Sequence, residues 1–183
     1  HGKNVAVGYA ALAVQDAGAD AYNVAVGFEA GLSVTTGLRN TLIGGIAGDA
    51  LTEGSDNVAV GYGALTTEDA HGRNTAVGMN TLSSLNAGAI GHNVAVGYTA
   101  GALLSTGIDN TIMGALAGDA LTTGSDNVAI GKSALSTEDT GGHNVAIGNE
   151  ALQDLNYNGS GYNTAVGSRA GANITTGINN TLI

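Results

Sequence analysis

Asn57-Val58-Ala59-Val60-Gly61, followed 17 residues on by Asn74-Thr75-Ala76-Val77-Gly78, decides the fold of this chain. Working outward, the same N-[VT]-[AL]-[VI]-G pattern opens, with small variations, at Asn4, Asn23, Asn40, Asn93, Asn110, Asn127, Asn144, Asn163 and Asn180. The spacings run 19, 17, 17, 17 and then repeat, so units of 70 residues cover 4–73, 74–143 and, in part, 144–183. A short fixed period means a stacked array, because one unit of this size cannot bury its own apolar face. The whole span 1–183 therefore reads as a single repeat array with no internal domain boundary. The chain opens at His1 inside a linker like the one before Asn74, and closes at Ile183, where the copy at Asn110 continues into Gly114. Both ends cut the pattern, which implies a fragment of a longer periodic protein.

Composition narrows the fold class. Glycine supplies 31 of 183 residues and no glycine-free run exceeds the ten residues 149–158, so long helices are excluded. Proline is absent and the glycines lack an every-third-residue period, which excludes collagen. The 43% hydrophobic content rests on alanine, valine and leucine, a lean core but not a disordered tract. A net charge of −10 with five basic residues argues against nucleic acid, whose phosphates need lysine and arginine. Without cysteine there are no disulfides and no sulfur-ligated metals. No apolar run is long enough for a membrane-inserted helix.

Within one coil, the asparagine is position one. Positions two and four are β-formers or aliphatics on one strand face, and position three, Ala in eight copies and Leu42, Ile112 or Leu182 in three, is on the other. Both faces are apolar, so the pattern predicts a short strand buried on both sides. Position five is glycine wherever the copy extends that far, as at Gly8, Gly61 and Gly131, and reads as a bend. A second small apolar segment, predicted as another strand, and a polar turn such as Thr35-Thr36-Gly37 complete the coil. The fold class is all-β: a β-solenoid or β-roll of about ten 17–19-residue coils. Stacking places each asparagine above the last, where the amides can bond along the axis. A thin alanine-lined roll with both strand faces apolar predicts a second buried surface against partner chains, hence a homo-oligomer.

The four coils of a unit differ. Position nine alternates in pairs: Leu12, Gly31, Gly48, Leu65, then Leu82, Gly101, Gly118, Leu135. Leu42 and Ile112 fall in the coils of Gly48 and Gly118, a pattern of volume compensation. The 19-residue coils carry their extra residues in one turn, 15–22, 85–92 and 155–162, which marks an exposed side of the array.

Chemistry is sparse. His1 and His71 are four coils apart and cannot share an ion, while His92 and His143 precede ladder asparagines in turns. No zinc-ligand spacing occurs, so no metal, cofactor or catalytic residue is assigned and no enzyme activity is expected. Asp49 with Asp119, Asp56 with Asp126, and Glu68-Asp69 with Glu138-Asp139 recur at the unit period. They read as a solvated acidic edge in preference to a weak calcium site. Gly131-Lys132-Ser133 imitates the end of a phosphate loop, but the required first glycine is Asp126. Asn158-Gly159-Ser160, Asn173-Ile174-Thr175 and Asn179-Asn180-Thr181 fit the glycosylation sequon, which asparagine-rich repeats produce by chance.

The run N-V-A-V-G-Y at Asn4, Asn57 and Asn93, with N-T-A-V-G at Asn74 and Asn163 and N-V-A-I-G at Asn127 and Asn144, resembles trimeric autotransporter adhesin head repeats. It is still more similar to repeats in bacteriophage tail fibres. The resemblance spans the whole chain and implies a homotrimeric β-roll, located outside the cell, at a cell surface or on a virion. There it would act as a structural and adhesive shaft, with a glycan or receptor met through turns or through other regions of the protein. A self-assembling extracellular filament is the alternative expectation. An ice- or carbohydrate-binding face is a lesser one, because Thr35-Thr36, Thr66-Thr67, Thr122-Thr123 and Thr175-Thr176 occur in different registers.

Overall fold

The computed structural model describes residues 2–183; His1 and the expectation attached to it lie outside the described residues. Each asparagine is followed by one short strand: β1 (Val5–Val7), β2 (Val24–Val26), β3 (Thr41–Ile43), β4 (Val58–Val60), β5 (Thr75–Val77) and β6 (Val94–Val96). The series continues with β7 (Thr111–Met113), β8 (Val128–Ile130), β9 (Val145–Ile147), β10 (Thr164–Val166) and β11 (Thr181–Leu182). All pair in parallel, each with its sequence neighbours, in one 11-stranded sheet. Register is kept position for position, as in Val58 with Thr75 and Ala59 with Ala76. The chain is thus a β-solenoid of about ten coils, and at ~4.8 Å per coil it is roughly 50 Å long.

The coil holds one strand, where two were expected. After the strand the backbone turns continuously, because residues with positive φ recur every second position. Position five is always glycine in that region (Gly61, φ 133), position seven is Ala10, Ile46 or Asn80, and position nine is Leu12, Leu65 or Gly48. The residue before each asparagine, such as Arg39, Asp56 or His92, is left-handed as well. A left-handed L-residue costs about 1–2 kcal/mol, so packing in the stack must hold these positions. At position five from Gly8 to Gly148 no side chain fits: a Cβ on Gly61 would lie 2.5 Å from the carbonyl oxygen of Gly78 in the next coil.

The strands are buried on one face only. From β2 to β10 the middle residue, position three, is buried while positions two and four are partly or well exposed. This corrects the expectation of two buried faces. With a single strand per coil, hence one sheet, and the turns folded against one side of it, only that side is interior. The core is a set of axial columns: position three, the small residues of position eight, the position-nine leucines, and position twelve with Val34, Leu51, Leu85, Leu104, Leu121 and Leu155. Volume compensation is evident where position three is large. A Cβ on Gly31 or on Gly48 would each come within 2.7 Å of a Leu42 methyl, so Leu42 fills the space that two glycines leave.

The asparagine column is buried from Asn23 to Asn163. Its constant bond is from side chain to main chain: Oδ1 of each asparagine accepts the backbone N–H of the next, at 3.0 Å from Asn57 to Asn74 and 3.0 Å from Asn110 to Asn127. In the 17-residue coils the amide Nδ2 donates inward to a turn carbonyl 14 residues on, such as Gly54 O from Asn40 and Gly124 O from Asn110, whereas Asn74 and Asn144, which open 19-residue coils, donate to Gly72 O and Gly142 O. From Asn93 onward it also donates to the preceding Oδ1. The lengthened turns project into solvent, and Gly18 and Gly88 at positive φ have nothing within 4 Å of a hypothetical Cβ.

Candidate functional site

Because position three points inward, positions two and four form two outward-facing, partly exposed columns along the sheet. Valine, threonine, isoleucine and methionine supply them, with Ile43 38%, Val94 38% and Met113 41% exposed. On one side runs the position-six column: Tyr9, Phe28, Tyr62, Met79 and Tyr98 in the first six coils, then Lys132, Asn149 and Ser168. Tyr9 and Phe28 stack at 5.3 Å between centroids. On the other side runs the residue before each asparagine, a column of charged and aromatic side chains tied coil to coil. Arg39 donates from Nε and a terminal nitrogen to the two oxygens of Asp56, at 2.6 and 2.9 Å. His92 Nδ1 lies 3.4 Å from Asp109, and His143 Nδ1 lies 3.9 Å from Asp126 and edge-on to Tyr162. Lys3 bonds to Tyr22 and pairs with Asp20. The Arg39 guanidinium holds the Asp56 carboxyl below the usual carboxylate range. These exposed pairs contribute little stability, and they line the apolar band with charge.

The acidic residues do not form one solvated edge. Asp56 and Asp126 are exposed as expected, but Glu68 and Glu138 are fully buried. Both occupy position twelve, where neighbouring coils place leucine or valine. Their environment supplies donors: Glu138 Oε1 accepts the Gly141 N–H at 2.8 Å and Oε2 accepts the Tyr157 N–H of the next coil at 3.2 Å. Glu68 accepts the His71 N–H at 3.1 Å and the Ala87 N–H at 3.5 Å. Each glutamate sits where a 17-residue coil meets a 19-residue one. It accepts N–H groups on both sides of that step, where the longer turn leaves the regular coil-to-coil backbone bonding. Burial raises both carboxyls above their ordinary range, offset in part by those N–H groups. Asp49 and Asp119, half-buried, are also raised by burial, and one oxygen of each is shielded from solvent without a hydrogen-bond partner. The signal that could have revealed the glutamates was in the sequence, as the only acids in a column that is aliphatic in every other coil but the first, where it is Gln15.

Two shallow concavities of about 250 Å³ recur one unit apart at the same step. The first is lined by Glu53, Ser55, Asp56, His71, Arg73 and Ile90, and the second by Ser125, Thr140, His143 and Ser160 among others. Beside the first, which of the three only His71 lines, Glu68, Asp69 and His71 place one ligand atom each within 4.8 Å of one another, a grouping that a search for paired histidines overlooks. Gly131-Lys132-Ser133 makes no phosphate cradle: Gly131 is an ordinary position-five bend and Lys132 points outward in the position-six column. Several threonine hydroxyls are turned onto neighbouring coils, Thr35 onto Thr52 O at 3.2 Å and Thr122 onto Asp139 O at 3.0 Å. The sequon asparagines Asn158, Asn173 and Asn179 are exposed. Among the described residues no helix is long and apolar enough to cross a membrane. No protein-family model, curated protein or solved structure shows significant similarity to this chain.

Proposed function

We propose that the chain is a non-catalytic shaft segment of an extracellular or virion-borne adhesive fibre, in which rods associate through their outward sheet faces as a homotrimer. The observation that carries this reading is the band of positions two and four, a partly exposed run of valine, isoleucine and methionine interspersed with threonine along the sheet. Contiguous apolar surface of this kind marks an interaction site. Its period favours a second copy as the partner, since only another stack with the same coil spacing meets it residue for residue over its length. About 50 Å of rod by the roughly 20 Å from position zero to position six gives on the order of 1,000 Å² per chain, enough for a specific interface. The motif resemblance to fibre and adhesin repeats agrees with three chains per cross-section. Threonine hydroxyls turned onto coil carbonyls leave fewer free for an ice or carbohydrate face.

Sedimentation equilibrium of the purified chain at micromolar concentration tests the reading. A mass of three chains supports it, and open-ended growth supports the filament alternative. A persistent monomer overturns both.

A further inference from the structure

Separately from the fibre reading, we propose that the turn Glu68-Asp69-Ala70-His71 is a binding site for a divalent transition metal, zinc foremost, with Glu68, Asp69 and His71 as its protein ligands. Their ligand atoms lie within 4.8 Å of one another, and His71 Nδ1 is 3.6 Å from Glu68 Oε1. Two ligands of one tetrahedral zinc, each about 2.1 Å from the ion, are roughly 3.4 Å apart, so this pair is already near the required spacing. The His71 Nδ1 atom is shielded from solvent and has no hydrogen-bond partner. A buried polar atom left unpaired is costly, and a metal bond to its lone pair is one way to remove that cost. The carboxylates are held in place by backbone donors, with the His71 and Ala87 N–H groups on Glu68 and the Ala70 N–H on Asp69 Oδ1 at 2.5 Å. Each bonded oxygen retains acceptor capacity, and such outer-shell bonds orient metal ligands.

The adjoining concavity, which His71 itself lines with Glu53 and Asp56, opens the turn to solvent and leaves room for water as a further ligand. One imidazole nitrogen with two carboxylates suits zinc better than calcium or magnesium, which take oxygen sets. The sister turn supplies an internal comparison. Glu138-Asp139-Thr140-Gly141 keeps both acids and the two N–H bonds to the glutamate but has glycine in place of His71. The imidazole is therefore not needed for the turn to form.

Calorimetric titration of the full chain with Zn²⁺, paired with the visible absorption of Co²⁺, tests the site, with circular dichroism as the check on folding. One ion per chain is expected. His71→Gly, which copies the sister turn, should abolish binding with the spectrum of the fold unchanged, and Asp69→Asn should weaken it by about tenfold or more. A chain whose only histidine is His71, with His1, His92 and His143 replaced by glutamine, should bind as the parent does. The proposal is overturned by absence of saturable binding in the parent, by undiminished binding in His71→Gly, or by loss of binding in the chain that keeps only His71.

Discussion

A Cδ atom of Leu42 stands 2.7 Å from where a Cβ on Gly48 would lie, so the two residues share one volume in the core. Leu42→Ala should open a cavity costing about 2–5 kcal/mol. Gly48→Ala should cost about 1–3 kcal/mol from overpacking, and further because Gly48 has φ 57, where alanine is strained. Combining them lets the new methyl occupy the space that leucine vacates. Urea denaturation of the single and double variants should show a double-variant loss smaller than the sum of the two; simple additivity would contradict shared volume.

Asn110 bonds on several sides: its Oδ1 takes the Asn127 N–H at 3.0 Å, and its Nδ2 donates to Gly124 O at 2.9 Å and Ile108 O at 3.2 Å. Asn110→Ala leaves the buried Asn127 N–H and the Gly124 carbonyl without these partners, at about 1–3 kcal/mol for each unsatisfied group, while Ile108 O keeps the Asp126 N–H at 3.1 Å. The expected loss in a denaturation experiment is therefore about 2–4 kcal/mol, larger than for any exposed position of the same coil. Backbone hydrogen exchange should quicken most at the Asn127 amide.

Much of this was legible from the repeat. The period placed Asn74 over Asn57, glycine at position five located the bend at Gly61, and the pairing of Leu42 with Gly48 was visible as a swap of large and small. The inward face was not, because Val58, Ala59 and Val60 are all apolar and alternation cannot say which side is interior. That choice is made by the turns, which fold over the alanine side and leave room there for little more than a methyl group. The turns were hidden for a related reason: Leu12, Ile46 and Leu65 sit at positive φ without the glycine that would advertise it. Glu68 and Glu138 read as solvated acids because charge suggests exposure, whereas the longer coil above each supplies N–H donors that only the stacked structure reveals.

Burial raises the carboxyls of Glu138, Asp49 and Asp119, and this fixes the sign of a pH dependence. A raised group binds its proton more tightly in the folded state, so its stabilising contribution is present below the ordinary carboxylate range, about 4, and is lost as pH rises through the folded value. Asp56, lowered by Arg39, acts oppositely: its contribution is lost as pH falls below that range. The melting temperature should therefore be higher near pH 5 than near pH 7, with a decline only under stronger acid. Glu138→Gln should flatten the change between pH 5 and pH 7. A melting temperature that climbs from pH 5 to pH 7 would show that these buried carboxyls do not govern stability.

Ile43 and Met113 sit at position four of equivalent coils, 38% and 41% exposed, on the band proposed for chain association. Replacing both with lysine places two charges in the band at points one unit apart. In the isolated rod the side chains reach water, so the cost should stay within about 0.5 kcal/mol per site. In an assembly that buries the band, the ammonium groups lose their hydration without a partner, which is strongly unfavourable. Sedimentation should therefore shift to single chains while circular dichroism stays unchanged. Leu103→Lys is the matched control, since Leu103 is 56% exposed but at position eleven, outside the band; it should leave the assembled mass intact. Equal masses for the two variants would move the contact to another face of the rod, and dissociation by Leu103→Lys alone would place it on the turns.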